Sequence, residues 1–232
     1  MTTVYIISAP SGSGKSTLVN KVLAIVPRLG FSISYTTRAP RGDERNGREY
    51  FFVTRPEFEE MVRNNEFLEH ADYDGNHYGT ARRFLREAEE SGNDLLLDID
   101  VQGAEQIKRN IPGAVSIFIL PPNRQELEQR LRHRSQDSNE VIQRRLLTAS
   151  REIENYSKYD YILVNDRLED SVDALRSILL GERLKRAGAQ QPVSPDETRM
   201  LATAERFRLR NVRQRLQPIL ESFRQAAAPG GR

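Results

Sequence analysis

The stretch that most constrains the fold of this chain lies near its N-terminus and reads Ser-Ala-Pro-Ser-Gly-Ser-Gly-Lys-Ser-Thr over residues 8–17. An apolar run from Val4 to Ile7 precedes it, and apolar residues at helical spacing follow it as far as Pro27. A strand, a glycine-rich loop and a helix in this order are typical of a phosphate-binding loop, in which backbone N–H groups and a helix N-terminus face phosphate oxygens. The sequence therefore predicts a nucleotide-phosphate site here.

Single residues of this loop have separate predicted roles. Gly12 and Gly14 allow a positive φ and a close approach of the backbone to the ligand. Lys15 can reach the outer phosphates, and the Ser16 hydroxyl can bind Mg²⁺. The loop departs from the usual pattern at its first position, where Ala9 replaces glycine. If this position required a positive φ, the methyl group would cost about 1 kcal/mol.

The composition excludes several classes of protein. The 232 residues are 38% apolar and 29% charged, and no apolar run approaches the ~18 residues of a membrane span. The absence of cysteine excludes disulfides, zinc–thiolate sites and a cysteine nucleophile. Because the start of the sequence lacks the pattern of a signal peptide, we expect a cytoplasmic protein without a membrane partner.

Apolar strands alternate with helices along most of the chain, which predicts an α/β fold with a parallel sheet flanked by helices. We assign this core to residues 1–34 and 81–181. Residues 35–80 are predicted to form a small α+β insertion, with Phe31 to Tyr35 read as one strand of the frame before it. A polar break at residues 135–138 interrupts the helical pattern.

The C-terminal part differs in charge from the rest. Residues 182–232 contain 11 Lys/Arg and 5 Asp/Glu, a net charge of +6, so residues 1–181 carry −4 of the total of +2. We interpret residues 182–194 as a linker and residues 195–232 as a basic helical tail, with one long helix that starts at a capping box. The apolar face of this C-terminal helix is expected to pack on the body or to form a homo-oligomer. Nucleic acid is a less favoured partner, because no aromatic residues alternate with the arginines.

A second group of polar residues lies outside the phosphate loop. Asp98 ends a buried strand, where a carboxylate can hold Mg²⁺, although an aspartate in such a place often caps a helix. Arg38 and Arg41 can bind a phosphate. Glu69 and Asp100 can accept hydrogen bonds from N1 and N2 of guanine, and hydroxyls such as those of Ser34 and Thr80 suit O6; adenine would face a carboxylate unfavourably.

Several runs resemble the signature of the guanylate kinase family, and the similarity extends over about residues 3–185. The runs are Ser34–Arg41, Gly47–Phe52, Phe67–Glu69, Tyr78–Thr80 and Leu97–Gly103. The resemblance implies phosphoryl transfer from ATP to GMP, with Mg²⁺ accompanying ATP.

The resemblance also implies roles for single residues. Residues 134–145 would form a lid, and Asn165 would lie near adenine. The expected catalytic residues are Lys15, Arg41, Arg134 and Arg145. The expected GMP-binding residues are Ser34, Arg38, Arg41, Tyr50, Glu69, Tyr78, Gly79, Thr80 and Asp100. The expected ATP-binding residues are Ala9, Pro10, Ser11, Gly12, Ser13, Gly14, Lys15, Ser16, Thr17 and Asn165, and the expected metal ligands are Ser16 and Asp98.

Two alternatives stay open at this stage. The first is a guanylate-kinase-like binding module that has lost catalysis, although such a module is expected to lack a complete phosphate loop. The second is a kinase of the same class for another nucleoside monophosphate, against which Glu69 and Asp100 argue.

Overall fold

The structure is a computed structural model that describes residues 2–134, 138–188 and 194–224. Its contacts group the chain into two compact units, Met1–Ile7 with Pro27–Val115 and Ser8–Val26 with Ser116–Arg232, each as far as the chain is described. The strands are β1 (Val4–Ser8), β2 (Leu29–Ser32), β3 (Tyr35–Thr36), β4 (Phe51–Phe52), β5 (Phe67–Tyr73), β6 (Asn76–Ala81), β7 (Asp94–Asp98), β8 (Val115–Leu120) and β9 (Tyr161–Val164).

Helices separate most of these strands in the sequence. They are α1 (Lys15–Ile25), α2 (Arg55–Arg63), α3 (Arg83–Ser91), α4 (Val101–Asn110), α5 (Arg124–Arg134), α6 (Asn139–Ile153), α7 (Leu168–Arg186), α8 (Pro195–Arg206), α9 (Leu209–Val212) and α10 (Gln217–Arg224). Two 3₁₀ turns, Glu154–Lys158 and Arg213–Leu216, complete the set in the described residues. No helix in this part of the chain combines the length and apolar character needed to span a membrane.

In the first unit, three parallel strands adjoin in the order β2-β7-β1. Strand β1 is buried along its whole length, as is β7 apart from its last residue, Asp98. Such continuous apolar burial is typical of parallel strands covered on both faces. A second sheet with the order β4-β3-β6-β5 lies between residues 35 and 81, and its β5–β6 hairpin turns at Asp74 and Gly75, both with positive φ.

The contacts divide the frame differently from the predicted domains. The prediction placed all frame strands in one core and residues 35–80 in a separate insertion, whereas β1, β2 and β7 group with the second sheet. Helix α4 accounts for part of this difference because it packs against β5. The Gln106 amide donates to His70 O at 2.7 Å, and the Asn110 amide donates to Leu68 O at 3.2 Å.

The second unit contains the parallel pair β8–β9, with helices α1 and α7 in contact and α7 against β9. Every residue of β8 is buried, as are the first three residues of β9. Both units therefore have the predicted character, in which parallel strands are flanked by helices, and the predicted α/β fold class is confirmed.

Three sequence predictions about the frame and the tail are wrong in detail. The strand predicted over Phe31 to Tyr35 is two strands, because β2 ends at Ser32 and β3 pairs in the other sheet. The predicted linker begins too early, since α7 continues to Arg186. The capping box at Ser194 is present, but the tail is not one long helix.

The first helix of the tail, α8, ends at Arg206 because the backbone that follows pairs with the edge of β9 that β8 does not occupy. Phe207 O accepts from Ile162 N at 2.9 Å, and Leu209 N donates to Asp160 O at 3.0 Å. Arg208 at the centre of this pairing has an extended backbone, with φ −58° and ψ 136°. The tail then covers its apolar side on its own chain, with Val212, Leu216, Leu220 and Phe223 buried. The homo-oligomer expected through this segment stays a prediction.

Candidate functional site

The phosphate loop has the backbone that the sequence predicts. Gly12 has φ 90° and Gly14 has φ 82°, and Gly14 is the N-cap of α1. Within the loop Ser13 N donates to Pro10 O at 3.1 Å, and Leu18 N donates to Gly14 O at 3.1 Å. Lys15 opens the helix, and Ser16 and Thr17 are exposed in its first turn. The loop and the helix N-terminus thus have the conformation that suits an anion.

Ala9 does not strain this loop. In the described residues, a positive φ outside glycine occurs at Arg28, Asn65 and Asp74 and not at Ala9. The first position of this loop therefore tolerates a methyl group, and the departure from the usual glycine is conformationally neutral.

Asn165, which follows β9, is buried against the phosphate loop. Its side-chain amide donates to Ser13 O at 2.7 Å. A Cβ on Gly14 would lie 2.5 Å from that amide nitrogen, so glycine is required here for space as well as for φ. Arg130 of α5 donates to Asn165 O at 3.0 Å and holds the other side of this residue. Asn165 thus fixes the loop conformation, and its predicted place near adenine stays a prediction.

Helices α5 and α6 also contact the loop. A Cβ on Gly12 would lie 2.8 Å from Leu131 Cδ2 and 3.0 Å from Leu127 Cδ1, so α5 packs directly beneath the glycine. Arg145 of α6 donates to Ser11 Oγ at 2.7 Å, which brings one predicted catalytic arginine to the loop. Helix α5 ends at Arg134. The Arg134 side chain and residues 135–137 of the predicted lid lie outside the described residues.

In the first unit, Glu69 is the centre of a buried polar group. It lies opposite Thr80 in the β5–β6 pair, and the two are 4% and 0% exposed. Burial raises the pKa of Glu69 to about 7. The polar groups of Thr80 act in the opposite direction and lower this pKa, whereas the negative charge of Asp100 adds to the rise. The Thr80 hydroxyl is buried, and no partner in the described residues satisfies it with hydrogen-bond geometry. Such a group is suited to a polar ligand.

Asp100 and Gly103 complete this group, which we call the Glu69 cluster (Glu69, Thr80, Asp100 and Gly103). Asp100 is the N-cap of α4, and its Oδ1 accepts from Gly103 N at 2.8 Å. A Cβ on Gly103 would lie 2.9 Å from Glu69 Cδ and closer still to Oε2. The helix cap that the sequence analysis weighed for Asp98 is therefore made by Asp100, while Asp98 is the last residue of β7.

A second group, the arginine–tyrosine cluster (Arg38, Glu44, Tyr50 and Tyr78), lies in the same unit. Both Glu44 oxygens accept from Arg38 Nη2, at 2.9 and 3.0 Å, and one also accepts from Arg41 N at 2.8 Å. The Arg38 guanidinium lies 5.3 Å from the centre of the Tyr50 ring. The Tyr50 and Tyr78 rings are 5.9 Å apart. Arg38 is buried, whereas Arg41 is exposed.

The remaining two predicted residues of this unit are placed mainly by backbone contacts. Ser34 O accepts from Phe51 N at 2.9 Å, and the Ser34 side chain is half-buried. Gly79 lies in β6 where a Cβ would come within 2.8 Å of Phe67, so no larger residue fits.

The chain matches known proteins over most of its length. The family model "Guanylate kinase" matches residues 1–182. The chain belongs to the guanylate kinase family. The guanylate kinase of Koribacter versatilis is 57% identical over 230 residues, which are 98% of this chain and 98% of that protein. The guanylate kinase of Escherichia coli K12 is 47% identical over 82% of this chain and 92% of its own length. The crystal structure of the Anaplasma phagocytophilum guanylate kinase has a TM-score of 0.66 at 36% identity, covering 78% of this chain and 86% of that one.

The sequence analysis assigned no role to four residues that organise this member of the guanylate kinase family, although one of them ends the run Leu97–Gly103. They are Glu44, Gly103, Arg130 and Leu131. Glu44 had a local signal, since it stands three residues after Arg41 in the same loop. The other three act on partners 34, 35 and 119 positions away in sequence, and no local pattern marks such contacts.

Proposed function

We propose that this member of the guanylate kinase family transfers the γ-phosphoryl group of ATP to GMP, giving ADP and GDP. The observation that carries the proposal is a complete phosphate loop, with Lys15 and Ser16 in the first turn of α1, in a chain that matches the family over residues 1–182. The alternative, a binding module without catalysis, is not favoured because such a module does not require these two residues.

The Glu69 cluster supports the choice of guanine. Guanine presents N–H donors at N1 and N2, and two carboxylates, Glu69 and Asp100, supply acceptors. The Thr80 hydroxyl suits O6, as does that of Ser34. Adenine presents an acceptor at N1, which a carboxylate repels. We infer that the base is read by this cluster and that Gly79 and Gly103 leave it the space it needs.

The arginine–tyrosine cluster is proposed to bind the GMP phosphate. Guanidinium groups bind phosphate in two-point contacts. In Arg38, one guanidinium nitrogen, Nη2, donates to both oxygens of Glu44. Arg41, Tyr50 and Tyr78 would add the remaining donors. A phosphate that binds Arg38 must share it with Glu44 or displace Glu44.

In the proposed reaction, an oxygen of the GMP phosphate attacks the γ-phosphorus of ATP, and the bond to the β-phosphate oxygen of ADP breaks. The attacking phosphate is already an anion, so no strong general base is needed. Catalysis then consists of alignment and of charge neutralisation by Lys15, Arg41, Arg134 and Arg145. Closure of residues 134–145 would exclude water and thereby prevent hydrolysis of ATP.

The proposed metal is Mg²⁺ bound with ATP. In the described residues no three or more acidic or histidine side chains form a metal cage. Mg²⁺ in such kinases retains waters and binds substrate phosphates with one or two protein oxygens, which fits a hydroxyl from Ser16 and a carboxylate from Asp98. Its chemistry would be neutralisation of phosphate charge. We place the activity in the cytoplasm, where both nucleotides occur.

The proposal is tested by ADP release from ATP with GMP, AMP, CMP and UMP as separate acceptors. We expect rapid release with GMP and little with the other three. Release without any acceptor gives the rate of ATP hydrolysis and is the control. Equal rates with GMP and AMP would exclude guanine recognition by the Glu69 cluster, and binding of GMP without ADP release would favour the binding module.

A further inference from the structure

The tail beyond the family match is part of the second unit and contacts the rest of that unit at two places. The first is the edge of β9, where Phe207 and Leu209 make the backbone hydrogen bonds described above. Beside it, the buried Glu182 carboxylate accepts from Tyr161 Oη, from Lys185 Nζ at 3.0 Å and from Arg208 Nη2 at 2.7 Å. The Arg208 guanidinium also lies 4.3 Å from the centre of the Tyr161 ring. This cluster anchors the tail before α10 begins.

The second place is α10, which contacts both α5 and α6. Ser222 Oγ accepts from Arg124 N at 3.1 Å and donates to Ile219 O at 2.6 Å. Arg124 is the first residue of α5, and the first amides of a helix have no partner inside the helix. A side chain 98 positions later therefore satisfies one of them. Leu220 and Phe223 of α10 are buried.

Helices α5 and α6 both contact the phosphate loop. Leu127 and Leu131 of α5 pack beneath Gly12, and Arg145 of α6 donates to Ser11 Oγ. A continuous set of contacts therefore runs from α10 through α5 and α6 to the loop, and all of it lies in the second unit.

We propose that α10 is a positioning element for the ATP-phosphate site. By fixing the start of α5 and its packing beside α6, it holds Leu131 beneath Gly12 and keeps Arg145 within reach of Ser11. The tail should therefore affect the binding of ATP at the phosphate loop. It should not affect the residues proposed to bind GMP, which lie in the first unit. This inference rests on the proposed function for its kinetic readout.

The test uses full-length protein with the substitution Ser222→Ala, which removes the acceptor for Arg124 N and leaves the packing. We expect kcat/KM for ATP to fall about threefold to tenfold, the effect of one lost hydrogen bond at a helix terminus. KM for GMP should stay unchanged. Ser222→Thr retains the hydroxyl and should restore the value for ATP, and Glu221→Ala, at an exposed neighbouring position, is the matched control.

A second variant, Phe223→Ala, removes packing of α10 and should reduce kcat/KM for ATP further. Melting curves of all variants separate loss of folding from loss of positioning. A lower melting temperature with unchanged constants for ATP would overturn the proposal and leave α10 a stabilising element only. A rise in KM for GMP as large as the change in the constants for ATP would overturn it as well. If the unmodified protein released no ADP with GMP, the proposed function would fail instead.

Discussion

The phosphate loop and the Glu69 cluster, the two proposed binding regions, are built by different physical means. The loop relies on backbone: two glycines with positive φ, a helix N-terminus and supports from Asn165 and α5. The Glu69 cluster relies on side chains, with a buried carboxyl whose pKa is raised to about 7. A site made of backbone amides is independent of pH near neutrality, whereas a site made of a buried carboxyl is not. The two regions should therefore differ in their response to substitution and to protons.

The largest expected effect is that of Lys15→Ala. We expect kcat to fall by about 10²- to 10³-fold or more, because the lysine charge is needed on the transferring phosphoryl group. The fold should persist, since Lys15 lies in the first turn of α1 and is not one of the buried residues of that helix. ADP release with GMP measures the effect. Lys21→Ala, at an exposed position of the same helix, is the control; normal turnover in folded Lys15→Ala protein would refute the assignment.

Glu69→Ala should affect the other region. Loss of the acceptor facing guanine should raise KM for GMP about tenfold to hundredfold and weaken discrimination against AMP. KM for ATP should stay close to its normal value. Glu59→Ala, at an exposed position of α2, serves as the control. Unchanged GMP kinetics in this variant would remove Glu69 from the site.

Gly103→Ala tests the same cluster without removing a charge. The added methyl group would overlap the Glu69 carboxylate, so Glu69 must move, and we expect KM for GMP to rise about fivefold to tenfold. Gly30→Ala is the matched control, because a Cβ there meets Asp94 O at an ordinary 3.4 Å. If KM for GMP in Gly103→Ala equals that of the control, the contact between residues 69 and 103 has no part in recognition.

The pH dependence separates the two regions directly. Because burial raises the pKa of Glu69 to about 7, the carboxyl is protonated below that pH and ionised above it. In the proposed site the ionised carboxylate is the better acceptor for the guanine N–H donors, so GMP binding should strengthen as pH rises through about 7. The free protein should change in the opposite sense: its stability should fall between the ordinary pKa of 4.5 and about 7, since the folded state binds the proton more tightly than the unfolded state.

Isothermal titration of GMP at several pH values measures this effect, and Glu69→Gln is its control. The GMP phosphate itself titrates near pH 6, so both proteins will share that part of the dependence. Only the unmodified protein should show the additional step near 7. Identical pH profiles for the two proteins would show that Glu69 does not bind as a carboxylate.

Sequence reasoning succeeded where function depends on local patterns. The phosphate loop and the capping box at Ser194 both follow from residues close together in the chain. It could not find the support of Gly12 by Leu131, which depends on packing between distant segments. It was also wrong about the tail. Helical spacing of apolar residues continues through Arg208, but the backbone there forms hydrogen bonds with the edge of β9 instead of continuing the helix.

The smallest expected effect concerns neither ligand region but the anchor of the tail. Burial would raise the pKa of Glu182, but hydrogen bonds from Tyr161 and Lys185 and the charge of Arg208 outweigh it and lower the pKa. Arg208→Ala removes one of these partners. Since Arg208 is partly exposed, solvent screening reduces the loss, and we expect about 1–2 kcal/mol of stability and about 2–6 °C of melting temperature.

Melting curves of Arg208→Ala, Arg208→Lys and Arg206→Ala test this anchor. Arg208→Lys keeps the charge and should lose less stability, and Arg206→Ala, at an exposed position, should lose almost none. A carboxyl with a lowered pKa stabilises the folded state above its ordinary value of 4.5 and loses that contribution as pH falls through the lowered value. The difference between Arg208→Ala and the unmodified protein should therefore shrink in acid. A difference that stays constant down to acidic pH would mean that Arg208 stabilises the tail through its contact with the Tyr161 ring and not through Glu182.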